Sequence, residues 1–207
     1  MTSSRTSPRM AIAGRVPRRA PGGFTLIELM VTIAIAGILL SLAVPSMTTV
    51  IKNNRLQSAV SSFAVDLQFA RSEAIKRGQN VTVCPSSDGN SCLGTDTWHK
   101  GWMVFYDAGT IGTYDTTKGD TPLRYRAALI NGDTAVAGTG AAGTTAPANN
   151  WVTFNREGFA SGGGAGTTMF KFNTADGAVK SKRCVSVDLT GRLTTVVDGV
   201  ASMGVSC

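Results

Sequence analysis

The chain has 207 residues, enough for one compact domain with an attached segment, and at 43% hydrophobic it is too apolar to be a disordered chain. Twenty Lys and Arg against 13 Asp and Glu give a net charge of +7, yet charged residues make up only 16%, below the ~25% of an ordinary soluble domain. One His and four Cys exclude a multi-histidine zinc centre and leave little from which to build a histidine-based hydrolase.

The basic excess sits at the N-terminus. Residues 1–23 hold Arg5, Arg9, Arg15, Arg18 and Arg19 and no acid; without these five the chain carries 15 basic and 13 acidic residues, a net of +2. A Ser, Thr, Pro and Arg composition with no apolar period predicts that residues 1–23 are a leader without a fold of its own. Phe24 to Val44 follow as the longest apolar run, FTLIELMVTIAIAGILLSLAV, with Glu28 as its one charge. As a helix this run is about as long as the ~30 Å hydrocarbon core of a bilayer, so residues 24–44 are predicted to cross a membrane once, in contact with its lipid. Arginines on one side only predict a cytoplasmic N-terminus and an exported remainder. The alternative is a cleaved secretory signal. Its apolar region spans ~7–15 residues and ends in a small-residue site, whereas this run is longer and no A-x-A precedes a polar mature start. Glu28 lies one turn inside the apolar segment, where an unpaired carboxylate is costly, so it is predicted to take a cationic partner; snorkelling to the interface is the alternative.

Pro45 lacks a backbone donor and is predicted to kink or loosen the helix. Residues 45–78 continue it as an amphipathic segment: Leu56, Val60, Phe63, Leu67, Ala70 and Ala74 recur at spacings of three and four. Gly78 after Lys76 and Arg77 reads as the C-terminus. Residues 79–207 form a β-rich head, with strands predicted near Asn80–Cys84, Gly101–Asp107, Leu123–Ile130, Trp151–Phe154, Thr168–Asn173, Cys184–Leu189 and Leu193–Val197. Asn155–Gly158 and Leu189–Arg192 read as hairpin connections. The Gly/Ala/Thr-rich stretch Asn131–Asn150 is predicted to be a long flexible loop. The fold class is α+β, a long N-terminal helix packed on an antiparallel β-sheet head.

Cys84, Cys92, Cys184 and Cys207 permit three pairings. Their spacing lacks the close C-x-x-C pairs of a metal site, and an exported head would hold them as disulfides. Cys84–Cys92 and Cys184–Cys207 are the preferred pairs. His99 stands alone, with no G-x-S-x-G, H-E-x-x-H or phosphate-loop motif elsewhere, so neither an enzyme, a metal nor a cofactor is predicted. Lys180, Lys182, Arg183 and Arg192 form a basic group close in sequence, a candidate for phosphate contacts with DNA or else a solvated basic edge.

The junction Pro21-Gly22-Gly23-Phe24-Thr25-Leu26-Ile27-Glu28-Leu29 resembles the class III signal of type IV pilins and type II secretion pseudopilins. That resemblance implies cleavage between Gly23 and Phe24 by a prepilin peptidase, methylation of the new Phe24 amino group, and pairing of Glu28 with the Phe24 ammonium of a neighbouring subunit as a register pin. Gly37 and Pro45 fit the helix-loosening Gly and Pro of that family. Gly-Trp-Met-Val-Phe-Tyr-Asp at 101–107, Phe-Asn-Arg-Glu-Gly-Phe at 154–159 and Ser-Val-Asp-Leu-Thr-Gly-Arg at 186–192 resemble the GspH/FimT group of minor pilins. The resemblance implies a subunit of the minor-pilin priming or tip complex in type IV pilus assembly, with other minor and major pilins as partners. The alternatives are a DNA-binding minor pilin for natural transformation or the equivalent pseudopilin of a type II secretion system. DNA-uptake members carry Gly-Arg-x-Arg near the C-terminus; the matching residues here are Gly191-Arg192-Leu193-Thr194, without the second Arg.

Overall fold

A computed structural model of the chain describes residues 22–139, 150–162, 167–177 and 182–197, without the side chains of residues 42–46 and 139. The leader up to residue 21, Lys180 and Cys207 therefore lie outside the described residues.

One helix, α1 (Leu26–Arg77), begins just after the leader junction. It runs through Pro45 as one assigned element, and the boundary between two compact units, Met1–Pro45 and Ser46–Cys207, falls just after that proline. Proline removes one N–H from the ladder and crowds the preceding turn, so the helix is weakest there even though it continues. The helix ends as its sequence dictates. Gly78 adopts φ +66° and the Gln79 N–H bonds to the Ala74 carbonyl at 3.2 Å, a Schellman closure with Lys76 and Arg77 in the last turn.

In the first unit every described residue from Gly22 to Ser41 is exposed. Phe24 is 83% exposed and Leu26 77%, a large apolar surface that this unit does not cover by itself. Among the described residues no helix is long and apolar enough to cross a membrane; the described side chains of the apolar run stop at Ser41, short of the ~20 residues such a span needs.

Among the described residues the second unit carries nine strands in two antiparallel sheets. The first sheet contains β1 (Val81–Pro85), β2 (Gly101–Tyr106), β3 (Thr121–Ala127), β5 (Val152–Phe154) and β6 (Ala160–Gly162), in the order β3-β2-β1-β5-β6. The second contains β4 (Thr134–Thr139), β7 (Thr168–Asn173), β8 (Arg183–Val187) and β9 (Leu193–Val197), in the order β4-β7-β8-β9. The α1 stripe is the spine of the core: Leu56, Val60, Phe63, Leu67, Ala70 and Ala74 are all fully buried. Against it pack Val81, Val83, Val104 and Phe154 from the first sheet and Phe170, Phe172, Val185 and Val187 from the second.

Two strands differ from expectation. β4 lies inside Asn131–Asn150, the segment predicted to be a flexible loop, and pairs with β7 over its full length from Thr134↔Asn173 to Thr139↔Thr168. Its small residues obscured a period of two: Ala135 is buried and Ala137 half-buried, while Val136 between them is 42% exposed. Residues 140–149 of that stretch lie outside the described residues. β6 is three residues of Ala, Ser and Gly, too short and too weak in β propensity to signal itself. Its pairing with β5 completes the hairpin read at Asn155–Gly158.

Cys84 and Cys92 are joined, closing the 85–91 loop over a small second cluster of Cys84, Met103 and Phe105 with Tyr114 and Trp151. Replacing both cysteines by serine is expected to lower stability by about 2–3 kcal/mol from the loop-closure entropy alone. Urea unfolding of the oxidised protein and the double variant measures this difference. Cys184 on β8 is buried and disulfide-bonded; Cys207 lies outside the described residues.

Candidate assembly surfaces

The junction between leader and helix is built as a capped helix start. Gly23 and Phe24 precede α1, and Thr25 is its N-cap: the Thr25 hydroxyl accepts the Glu28 N–H at 3.2 Å and the Thr25 carbonyl accepts the Leu29 N–H at 3.2 Å. Thr25 and Glu28 thus occupy the first and fourth positions of a capping box. Glu28 is the acid of the first turn and is exposed, where its charge meets the positive end of the helix dipole. The carboxylate is held at the helix start and left open to a neighbour.

On the head side, three polar anchors fix α1 to the strands. Asp66 is fully buried and accepts Trp102 Nε1 at 2.9 Å, Arg124 Nη1 at 2.7 Å and Arg126 Nε at 3.2 Å, joining α1 to β2 and β3. Burial pushes the Asp66 carboxyl up, but the hydrogen bonds from Arg126, Arg124 and Trp102 outweigh it and hold the group below its ordinary value. The Arg124 guanidinium also lies 3.9 Å from the centre of the Phe69 ring. Arg55 forms a bidentate pair with Asp133, at 2.7 Å and 2.6 Å. Arg71 donates from Nε to the Gly158 carbonyl and from Nη2 to the Thr190 carbonyl, both at 3.1 Å, and so bridges the β5–β6 and β8–β9 turns.

Gly191 sits beneath Arg71 with φ +74°; a Cβ there would lie 2.1 Å from the Gly158 carbonyl oxygen and 3.0 Å from Arg71 Nε. Gly191→Ala is therefore expected to cost about 1–3 kcal/mol, because backbone has to shift and the left-handed conformation disfavours a side chain. A lowered thermal midpoint with the β-rich circular dichroism retained is the expected record.

No motif marked Asp66; the signal that could have found it is its place three residues after Phe63 and four before Ala70, on the apolar stripe, where a carboxylate requires partners. Its arginines come from β3, most of whose residues are exposed. Asp96 was not singled out by any motif. Its carboxylate accepts the Ala137 N–H at 2.6 Å and closes the outer edge of β4, and burial pushes its carboxyl up against that hydrogen bond and the nearby His99.

Of the basic residues proposed for DNA contact, the described ones are spread along β8, and Lys180 lies outside the described residues. Lys182 and Arg183 stand at the start of β8, while Arg192 follows the turn at its other end, beyond Val187 and its partner Leu193. Arg192 lines an open groove with Gln68, Arg71, Ser72, Ile75 and Leu193. Among the described residues no group of three or more His, Cys, Asp or Glu is placed to hold a metal ion.

Residues 18–44 match the prokaryotic N-terminal methylation motif, which is where the capped helix start lies. Residues 59–191, more than half of the chain, match the family described as type II transport protein GspH. The chain belongs to the GspH family. Solved structures similar to it include a minor pilin and a minor pseudopilin. The type IV minor pilin FimU of Pseudomonas aeruginosa is 21% identical with a TM-score of 0.51, covering 72% of this chain and 94% of its own. The minor pseudopilin EpsH from the type II secretion system of Vibrio cholerae is 14% identical with a TM-score of 0.49, covering 73% of this chain and 99% of its own. The fold is pilin-like, an N-terminal helix on an antiparallel sheet head. Membership of the GspH family makes the chain a minor pilin or pseudopilin, a structural subunit and not an enzyme.

Proposed function

We propose that this GspH-family subunit is anchored by residues 24–44 in the bacterial inner membrane, cytoplasmic end first, and enters a pilin-like filament through its N-terminal helix as part of a priming or tip complex. Prepilin peptidase cuts between Gly23 and Phe24, and the Phe24 amine is methylated. The observation that carries this reading is the helix start. Thr25 caps a helix start whose described residues are exposed from Gly22 to Ser41, and Glu28 is the one charge between Phe24 and Val44. Lipid suits the apolar side chains, and a neighbour's Phe24 ammonium suits the carboxylate. Pro45, at the boundary between the two units, marks where the anchor gives way to the head-bound part of the helix.

Glu28→Val is expected to abolish incorporation into the assembled complex while leaving leader removal intact, read as the mass of the mature N-terminus and as co-purification with other pilin-like subunits. Normal incorporation of Glu28→Val would overturn the pairing. The type II secretion reading is favoured by the description of the matched family. A deletion strain separates it from the pilus reading: loss of exoprotein secretion marks the first, loss of pilus-driven motility the second. DNA uptake has the least geometric support, since Lys182 and Arg183 are parted from Arg192 by the length of β8. No retardation of DNA by the protein at low salt would end it.

A further inference from the structure

The groove between the last turns of α1 and the β8–β9 turn is flanked by apolar side chains that the head leaves uncovered. Ile75 on α1 is 51% exposed, Phe159 53% and Leu189 55%. The fold brings these positions together. The Ala160 N–H bonds to the Leu189 carbonyl at 3.0 Å, which sets the Phe159 and Leu189 turns alongside one another. A Cβ on Gly158 would meet Ile75 Cδ1 at 2.9 Å, so α1 closes the third side. Singly exposed apolar residues are ordinary on a protein surface; three around one groove mark a contact surface.

The polar part of the groove is cationic. Arg71 and Arg192 line it beside Gln68 and Ser72. Arg71 directs Nε and Nη2 to the neutral carbonyls of Gly158 and Thr190, which fix its guanidinium without neutralising it. Among the described residues neither Arg71 nor Arg192 forms an ion pair. Asp188, the acid of the same turn, commits one carboxylate oxygen to the Thr190 hydroxyl at 2.5 Å and the Arg192 backbone N–H at 3.0 Å. Two guanidinium charges against that one carboxylate leave the groove positive.

We propose that this groove receives an acidic, apolar segment from the head of a neighbouring pilin-like subunit, with a carboxylate against Arg71 and Arg192 and an apolar side chain among Ile75, Phe159 and Leu189. This contact presupposes the assembly reading above and adds to it a surface and a partner chemistry. Charge and composition together select the occupant. A nucleic acid needs a row of cations to answer successive phosphates, whereas here two guanidiniums stand among three apolar side chains. Arginine beside exposed aromatic and aliphatic side chains is the composition of a protein–protein contact, and a guanidinium pairs with a carboxylate in two parallel bonds. Arg71 is already held by its two carbonyl bonds, so docking costs it little further rotamer freedom.

Full-length protein carrying the photo-crosslinker p-benzoylphenylalanine in place of Phe159 or of Leu189, expressed in cells that assemble the complex, tests the contact. An adduct to the head of another pilin-like subunit is expected, at a peptide with Asp or Glu within a few residues of the linked site. Arg192→Glu is expected to lower the yield of that adduct by about fivefold or more. The thermal midpoint of the head is expected to stay unchanged, because among the described residues the Arg192 side chain donates no hydrogen bond. Reversing the partner's acid to Lys is expected to restore the adduct with Arg192→Glu. Adducts to nucleic acid, to lipid or to this chain's own residues overturn the proposal, as does an adduct insensitive to Arg192→Glu. No adduct from either position, while the subunit still co-purifies with other pilin-like subunits, overturns the contact and leaves the assembly reading standing. Failure of the wild type to co-purify with them removes both.

Discussion

Phe63→Ala is expected to destabilise the head by about 3–5 kcal/mol, the range for emptying a fully buried aromatic site. Phe63 is 0% exposed, and its ring centre lies 5.4 Å from Trp98, 5.0 Å from Trp102, 4.7 Å from Phe170 and 5.4 Å from Phe172. Most of these contacts are edge-on, an arrangement worth about 0.5–1.5 kcal/mol per pair beyond the area buried. The cavity cannot close cheaply. Its walls come from α1, the 3₁₀ turn Trp98–Lys100 and strands of both sheets, and Trp102 is held in place by its bond to Asp66. Against a total stability of roughly 5–15 kcal/mol for a domain, the loss is large. Val65, two residues away and 53% exposed, is the control: Val65→Ala is expected to stay within about 0.5 kcal/mol. Urea midpoints at unchanged slope provide the comparison. A Phe63→Ala midpoint equal to that of Val65→Ala would show that α1 does not organise the core.

Where the sequence carried strong periodicity, it was read correctly. All six residues of the α1 stripe are fully buried, and the Gly78 C-terminus closes as its Lys-Arg-Gly signature indicates. Strands with large side chains, such as Gly101–Tyr106 and Thr168–Asn173, also stand out, because short runs of bulky apolar residues bounded by turn residues are visible without knowledge of partners. β4 stayed hidden because its register is fixed by a partner about thirty to forty residues away, and Ala and Gly occupy half of its positions. The division into two sheets was hidden for the same reason: strand order is set by long-range pairing, and no local signal places β5 beside β1. At the N-terminus the functional residues were legible as a contiguous motif. What the motif did not reveal is that Thr25 caps the helix and positions Glu28. The anchors of the head illustrate the opposite case. Asp66 lies about sixty residues from Arg124 and Arg126, and only folding shows that the two cations of a largely exposed strand answer one buried acid.

That acid yields the second large effect. Asp66→Ala is expected to cost about 2–3 kcal/mol, less than the roughly 3–5 kcal/mol for removing one partner from a fully buried ion pair. The discount has a physical basis. The Arg124 and Arg126 side chains are 36% and 43% exposed, so both cations regain water once the carboxylate is gone. The Trp102 indole N–H does not, because Trp102 is 1% exposed; its lost bond accounts for most of the expected change. The same residue predicts a pH dependence with a definite sign. The Asp66 carboxyl is held below its ordinary value in the folded head, so its contribution is complete above the unfolded carboxyl pKa of about 3.9 and is lost as pH falls through the folded value. Asp96 and Asp107 act in the opposite sense. Burial raises both carboxyls, so each opposes folding at neutral pH and ceases to do so as it is protonated. The acid limb of the whole protein is therefore a sum of opposed contributions, and the difference between wild type and Asp66→Asn isolates the one from Asp66. That difference is expected to be constant from pH 7 to about pH 5 and to shrink below about pH 4. A difference that instead grew on acidification would mean that the three donors do not hold Asp66 in its charged form.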